Sequence, residues 1–286
     1  MSESQNLLAE QRRALIFDEV RRRGGVRVNE LTRRLNVSDM TIRRDLDALA
    51  RQGMVEKVHG GAVPVAEASS HEPGFEAKST LEPTAKEEIA RAAAALVAPG
   101  SAVALSGGTT TFALARRLLD IPDLTVVTNS VRVADVFHAA RGTAPPARPG
   151  APRQAPATVV LTGGVRTPSD SLVGPVADQA IRSLHFDLLF LGVHGISAEA
   201  GLSTPNLAEA ETNRRLVRSA RRVVVVADHT KWGTVGLGSF ASLEEVDVLV
   251  TDRGLSPAAR AEIAERLPEL IVAGGGDGED ERAADG

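Results

Sequence analysis

At 286 residues the chain is long enough for two domains and a sizeable core. It has no cysteine, which excludes disulfides, thiolate metal sites and cysteine nucleophiles together, and its six histidines are scattered with no pair at metal-ligand spacing on one helix. The formal net charge of −4 conceals an asymmetry: residues 1–63 hold 12 Lys and Arg against 9 Asp and Glu, and the remainder is net acidic. So small a basic excess implies few phosphate contacts per subunit and a need for paired subunits. No apolar run approaches the ~18 residues that span a bilayer. The start, Met1-Ser2-Glu3-Ser4-Gln5, has neither the basic nor the apolar segment of an export signal, so a cytoplasmic location is expected.

In chain order, a helix is predicted from about Leu7 to Arg23, stopped by Gly24-Gly25. A short helix, Asn29 to Leu35, and the turn Asn36-Val37 lead to Ser38-Asp39-Met40-Thr41-Ile42-Arg43-Arg44-Asp45-Leu46. Ser38 can cap a helix by accepting from a free backbone N–H, and Asp39 suits the positive end of the helix dipole. Ile42, Leu46 and Leu49 fall on one apolar face, which leaves Met40, Thr41, Arg43 and Arg44 to point elsewhere. Two helices on such a turn form a helix-turn-helix, whose second helix enters a DNA major groove. Arg43 and Arg44 are then candidate base readers, with Met40 and Thr41 beside them. Asp45 would repel phosphate and is expected to orient an arginine. Met54 to Val63 reads as a hairpin turning at Gly60-Gly61. Such a wing lets Lys57 and His59, with Ser38, touch phosphates and fix register.

The stretch 64–83, rich in Ala, Ser, Glu and Pro, reads as a linker. Beyond it, a helix from about Thr84 to Val97 opens a series. Strands are predicted at Ala102–Leu105, Leu124–Thr128, Thr158–Thr162, Phe186–Val193, Arg222–Ala227 and Asp247–Thr251, with a last run at Leu270–Val272. Helices alternate with them at Thr110–Leu119, Val131–Ala140, Pro175–Leu184, Leu207–Ala220 and Pro257–Arg266. Runs such as Val223-Val224-Val225-Val226 suit strands buried on both faces. The class is therefore α/β: a small domain at 1–63, then a larger α/β domain at 84–273 with a mostly parallel sheet. The Pro-rich segment 141–157 is expected to be a surface loop, and 274–286, with five acids and one Arg, a disordered tail.

In open α/β sheets, ligands lie beyond the carboxyl ends of the strands. After Leu105 come Ser106-Gly107-Gly108-Thr109-Thr110-Thr111, directly before a helix, where free N–H groups and close-approach glycines suit a phosphate. The loop lacks Gly-Lys-Ser/Thr and is not a Walker motif. Other strand ends offer Asn129-Ser130, Gly163-Gly164 with Asp170 and Ser171, Gly192 to Gly195, and Asp228 to Gly233 with Lys231. Carboxylates and amides there can read sugar hydroxyls, while Lys231 and the threonines neutralise phosphate.

Residues 12 to 63 resemble the winged helix-turn-helix of the DeoR family of bacterial transcriptional regulators. The stretches Ser38 to Leu46 and Lys57-Val58-His59-Gly60-Gly61-Ala62 carry the likeness, in order and correctly spaced. It continues through that family's sensor domain to about residue 272. The resemblance implies a ribose-5-phosphate-isomerase-like fold and a phosphorylated sugar as effector. The family's Asp-Ser-Gly-Thr-Thr-Thr type loop matches Ser106 to Thr111, with Ser106 in place of the frequent aspartate. Its Thr-Asn, Thr-Gly-Gly, Gly-x-x-Gly and Ala-Asp-x-x-Lys-x-Gly patterns match Thr128-Asn129, Thr162 to Gly164, Gly192 to Gly195 and Ala227 to Gly233.

The expectation is a repressor of a sugar-catabolism operon, released from its DNA operator by a sugar phosphate and acting as a homodimer or homotetramer, with no metal, cofactor or membrane partner. The same DNA contacts would serve an activator. The alternative is a fused sugar-phosphate isomerase or deaminase, with Asp170, Asp187, Glu211 or Asp228 as base and His194 or His229 as acid. The absent loop aspartate weakens it.

Overall fold

The structure, a computed structural model, describes residues 9–23, 25–58, 60–64, 72–143 and 156–274, and its contacts divide the chain into two units, Met1–Leu81 and Glu82–Gly286.

In the first unit, α1 (Ala9–Arg23), α2 (Val28–Leu35) and α3 (Asp39–Arg51) enclose a core that includes Ile16, Val20, Leu31, Ile42, Leu46 and Leu49. Asn36 takes φ +50 and ends α2 in the left-handed conformation that Asn tolerates. Ser38 caps α3, accepting from Thr41 N–H at 3.2 Å. Strands β1 (Val26–Arg27), β2 (Val55–Val58) and β3 (Gly61–Pro64) form an antiparallel sheet in the order β1-β3-β2.

Three expectations change here. β1 is too short to announce itself by periodicity. Gly61 belongs to β3, paired with Val58, so it lies in the strand and not in the turn. Gly61 is required for another reason: a Cβ there would lie 2.0 Å from Val26 O, where β1 crosses. And 64–83 is not all linker. β3 runs to Pro64, and Phe75–Ser79 forms helix α4, anchored by buried Phe75. Residues 65–71 lie outside the described residues.

The second unit is built on seven parallel strands: β4 (Ala102–Leu105), β5 (Thr125–Thr128), β6 (Thr158–Leu161), β9 (Leu188–Leu191), β12 (Val223–Val226), β14 (Val248–Thr251) and β15 (Glu269–Val272). The order across the sheet is β15-β14-β12-β9-β4-β5-β6. Alternate residues of one strand serve two cores. Val223 and Val225 join Leu216, Leu249 and Ile263 under α8 (Pro175–Ile181), α9 (Leu207–Ser219) and α10 (Pro257–Ala264). Val224 and Val226 join Ile89, Leu114 and Phe137 under α5 (Pro83–Ala94), α6 (Thr109–Arg117) and α7 (Val131–Thr143).

α7 runs three residues into the predicted Pro-rich loop; 144–155, like the acidic tail 275–286, lies outside the described residues. Two small sheets escape the apolar-run reading. β7 (Val165–Arg166) and β8 (Leu172–Val173) form a hairpin, and β10 (Gly195–Ser197), β11 (Gly201–Thr204) and β13 (Gly238–Ala241) form an antiparallel three-stranded sheet.

The chain starts the large sheet in its middle at β4, moves outward through β5 and β6, then returns to the other side of β4 at β9 and moves outward again. The direction of winding reverses between β4 and β9, which makes their carboxyl ends the crevice where ligands bind in such folds.

Candidate functional site

On the first unit, Met40, Arg43 and Arg44 are exposed on α3, while Ile42, Asp45, Leu46 and Leu49 are buried. The Ser38 and Thr41 hydroxyls lie 2.9 Å apart, so one donates to the other and a single hydroxyl proton of the pair remains for an outside acceptor. Arg43 donates to Asp39 at 3.2 Å, one turn back. Arg44 has no ion-pair partner among the described residues. Asp45 does orient an arginine, that of Arg12 in α1: Nε donates at 2.6 Å and Nη2 at 3.3 Å. Lys57 of the wing bonds Asp47 of α3, and this bond is the main cause of the lowered Asp47 pKa. His59 lies outside the described residues.

Arg44, with its guanidinium uncommitted, is the stronger base reader. Arg44→Ala is expected to cost about 1–3 kcal/mol of operator binding, and Arg43→Ala less, because Arg43 is already shared with Asp39. Competition binding on operator against random duplex checks the ranking; equal losses on both DNAs would make Arg44 a phosphate contact instead.

On the second unit the polar strand ends converge at the β4–β9 seam. Ser106, in the aspartate's place, ties the seam together: its N–H donates to Phe190 O at 3.1 Å and its hydroxyl accepts from Gly192 N–H at 2.9 Å. Gly107 N–H donates to Asn129 Oδ1 at 2.9 Å, and Asn129 Nδ2 donates to Leu172 O at 3.1 Å. Asn129 is buried and bonded at both ends, so it braces the loop rather than offering its amide to a ligand. A Cβ on Gly107 would lie 2.1 Å from Ser171 Oγ. Gly108, at φ +152, precedes α6. The N–H groups of Thr109, Thr110 and Thr111 donate to nothing among the described residues, as the first turn of a helix requires. Thr111 is fully buried and its hydroxyl turns back to Gly108 O at 3.0 Å, so it adds no side-chain donor to the crevice. At Gly192 a Cβ would make only ordinary contacts, the nearest 3.6 Å from Gly107 O, so this glycine leaves space open at the seam.

The other glycines serve packing. A Cβ at Gly195 would lie 2.1 Å from Thr234 O, and one at Gly164 would lie 2.7 Å from Val173 O. Gly163 takes φ +72 at the turn after β6, with Val176 against it.

Asp228, at the end of β12, is buried, and its Oδ2 has no hydrogen-bond partner. Burial pushes its pKa up, but the charges of Lys231 and Lys86 and bonds from Thr230 outweigh this and lower it. Lys86 is buried on α5, although in sequence it is one charge on an Ala-rich helix. Asp170 is also placed differently from expectation. Each of its oxygens accepts from an arginine, Arg132 on Oδ2 and Arg166 on Oδ1 at 2.7 Å. Burial raises its pKa, and the two arginine bonds more than reverse this.

Beside Asp228, His229 Nδ1 lies 2.8 Å from Asp252 Oδ2, and the N–H groups of His229 and Gly254 donate to the same carboxylate. Burial opposes the Asp252 charge, but these bonds hold its pKa at about 2, and the bond to Asp252 raises that of His229 above its usual 6.5. The Asp252 contribution to stability is therefore present above pH 3.8 and lost as pH falls toward about 2. That of His229 is full below pH 6.5 and lost as pH rises through its raised pKa. His229→Gln is expected to flatten the alkaline decline of Tm above pH 6.5. Matching Tm–pH curves for both proteins would refute the coupling.

Two of the carboxylates weighed for an enzyme are held in local bonds. Asp187 lies just before β9, at the opposite end of the sheet, accepting from Ala102 N–H at 2.9 Å. Glu211 is held on α9 by Arg214 and Arg215. No group of three or more His, Asp and Glu suited to a metal occurs among the described residues, and no described helix is long and apolar enough to cross a membrane.

A winged helix-turn-helix unit followed by an α/β unit with a polar crevice at its switch point defines a DNA-binding regulator with a sensor domain. A family profile described as the DeoR-like helix-turn-helix domain matches residues 12–67, and one described as the DeoR C terminal sensor domain matches residues 81–253. The chain belongs to the DeoR family of transcriptional regulators. It is 36% identical over 258 residues to the HTH-type transcriptional regulator GlpR of Haloferax volcanii, covering 90% of this chain and 95% of that one. It is 30% identical over 262 residues to the transcriptional repressor AccR of Agrobacterium fabrum, covering 91% and 94%. These relatives are regulators, and so is this chain, rather than an enzyme. Among solved structures, ribose 5-phosphate isomerase A of Methanocaldococcus jannaschii aligns over 51% of this chain and 53% of its own, with 15% identity and a TM-score of 0.35.

Proposed function

We propose that the chain is a sequence-specific repressor of a sugar-catabolism operon, acting in the cytoplasm and released from its operator by a phosphorylated sugar. The observation that carries this reading is the seam between β4 and β9. There the open first turn of α6, the space at Gly192, and the buried Asp228 with an unused oxygen lie along one rim. The N–H groups of Thr109 and Thr110 suit a phosphate. Asp228 Oδ2 suits a sugar hydroxyl, whose donated hydrogen bond would satisfy it. Lys231 adds a neutralising charge. The effector is the only small molecule this scheme requires.

Two subunits or four would place paired recognition helices on repeated half-sites. Effector binding releases DNA only if it favours an arrangement in which those helices no longer match the half-sites, and the extent of release is set by the difference in affinity between the two arrangements. Lys231→Ala tests the scheme. Operator affinity should be unchanged, while roughly tenfold more effector is needed for release, as expected for one charged hydrogen bond. Titrating a panel of pentose and hexose phosphates against the operator complex measures both. A variant released at the wild-type concentration would remove Lys231 from the site. A panel in which no sugar phosphate releases wild-type protein would count against the effector class itself.

A further inference from the structure

The recognition helix and the wing enclose a charged groove that the reading above does not use. It lies between the last two turns of α3 and strand β2, has a volume of about 640 Å³, and is lined by Arg44, Asp47, Ala50, Arg51 and Lys57. Arg44, Asp47 and Arg51 fall at i, i+3 and i+7, so α3 presents them on one face. Lys57 joins them from the wing. Side chains alternate along a strand, so Lys57 shares the face of Val55, which is buried in one core with Leu46 and Leu49 of α3. Glu56 takes the opposite face of β2.

The charges in the groove do not cancel. Asp47 accepts a hydrogen bond from Lys57, the main cause of its lowered pKa, and the positive charges of Arg51 and Arg43 add to the effect. Arg43 is itself paired with Asp39 and brings no net charge. Arg44 and Arg51 are exposed, and neither makes an ion pair or a side-chain hydrogen bond among the described residues. One acid, Asp47, therefore stands against Arg44, Arg51 and Lys57, an excess of two positive charges.

Position decides what Arg51 can touch. In a helix-turn-helix the residues near the N-terminus of the recognition helix contact base edges. Arg51 lies two turns beyond Arg44, about 10.5 Å farther along the helix axis. A major groove is about 12 Å wide, so with Arg44 at the bases Arg51 stands at the groove's edge, where the backbone runs. We propose that the groove between α3 and β2 seats one phosphate of the DNA backbone, with Arg51 and Lys57 as its two cationic walls. Asp47 is a positioning residue: it holds Lys57 against α3, and its charge weakens the seat for any phosphate that base contacts have not aligned. This rests on the reading of the first unit as the DNA-binding unit.

Binding of the full chain to two duplexes of equal length tests the seat: one enriched by the protein from a random-sequence pool, the other of random sequence. Affinity is measured across a range of salt concentrations, where each neutralised phosphate contributes about 0.9 to the slope of log K against log salt. Arg51→Gln should weaken binding to both duplexes by the same factor and reduce each slope by about 0.9, at unchanged Tm. Arg51→Lys keeps a point charge, which suffices for phosphate, and should restore both. An unchanged slope in Arg51→Gln overturns the proposal; a lowered Tm beside it would mark Arg51 as a charge serving only the end of α3. A loss confined to the enriched duplex also overturns it, because Arg51 would then read a base.

Asp47→Asn keeps the side-chain shape, removes one negative charge and frees Lys57. Random duplex should then bind more tightly and with a steeper salt slope. The enriched duplex should gain less, because its base contacts already draw the phosphate into the seat and the ordering of Lys57 is lost. The ratio of the two affinities should fall about threefold, the scale of one exposed charge pair. An unchanged ratio and slope overturn the role given to Asp47. A pool that shows no enrichment, with no binding to random duplex either, would instead overturn the DNA-binding reading on which the seat rests.

Discussion

Arg12→Ala is expected to unfold the DNA-binding unit while the sensor unit stays folded. Asp45 and Arg12 are both nearly enclosed, with side chains 7% and 11% exposed, and the carboxylate takes two of the arginine's N–H groups. Removing the arginine leaves a buried charge on the inner face of the recognition helix, beside Ile42 and Leu46. Breaking a buried pair from one side typically costs about 3–5 kcal/mol. Whole domains are stable by only about 5–15 kcal/mol, and a three-helix unit with a small core lies at the low end. Thermal unfolding followed by circular dichroism should show an early transition in the variant, with operator binding lost and the later transition unmoved. Arg12→Met combined with Asp45→Leu should recover most of the stability, because two apolar side chains replace a pair whose desolvation nearly offset its attraction. If the single variant melts like the wild type, the pair is not structural.

Gly107→Ala is expected to abolish the response to effector while leaving operator binding intact. The added Cβ would lie 2.1 Å from Ser171 Oγ, 2.9 Å from Ser171 Cβ and 3.2 Å from its Cα. A rotamer change cannot relieve contacts that reach the Cα. Ser171 is itself fixed, bridged to Ser130 and bonded into the β7–β8 loop. The α6 loop must therefore move, and the Gly107 to Asn129 bond that sets its height goes with it. Overpacking of this kind costs about 1–3 kcal/mol, which the larger core of the sensor unit can absorb. Gly192→Ala is the contrast: the nearest atom would be 3.6 Å away, so the variant should fold as the wild type and obstruct only the ligand. Operator release at the wild-type effector concentration by Gly107→Ala would show that the loop tolerates displacement, and the site would have to be placed elsewhere.

The elements legible in the sequence are those whose own residues enforce them. Ile42, Leu46 and Leu49 impose a helical period, and Val223 to Val226 can only be a strand covered on both faces. β1, β7 and β8 have two residues each, and Gly195, Gly201 and Gly238 open strands whose pairing is decided by distant partners. No local period signals such strands. The candidate site divides the same way. Ser106 to Thr111 shows itself as a strand followed by glycines and a helix start. Side-chain type, however, does not reveal a partner. Asn129 and Asp170 look like ligand contacts in sequence, and in the fold one braces a loop and the other holds two arginines. Lys86, Arg132 and Arg166 look like ordinary surface charges until the packing of α5, α7 and β7 is known.

The single serine hydroxyl at the end of β4 has a mechanical implication. The chain lays down β4 to β6 as one block and β9 to β15 as another, and the blocks share one edge. Ser106 pins that edge at its open end. A metabolite wedged beside the pin would press on both blocks at once, so a small chemical event would be felt as a change of twist across the entire sheet.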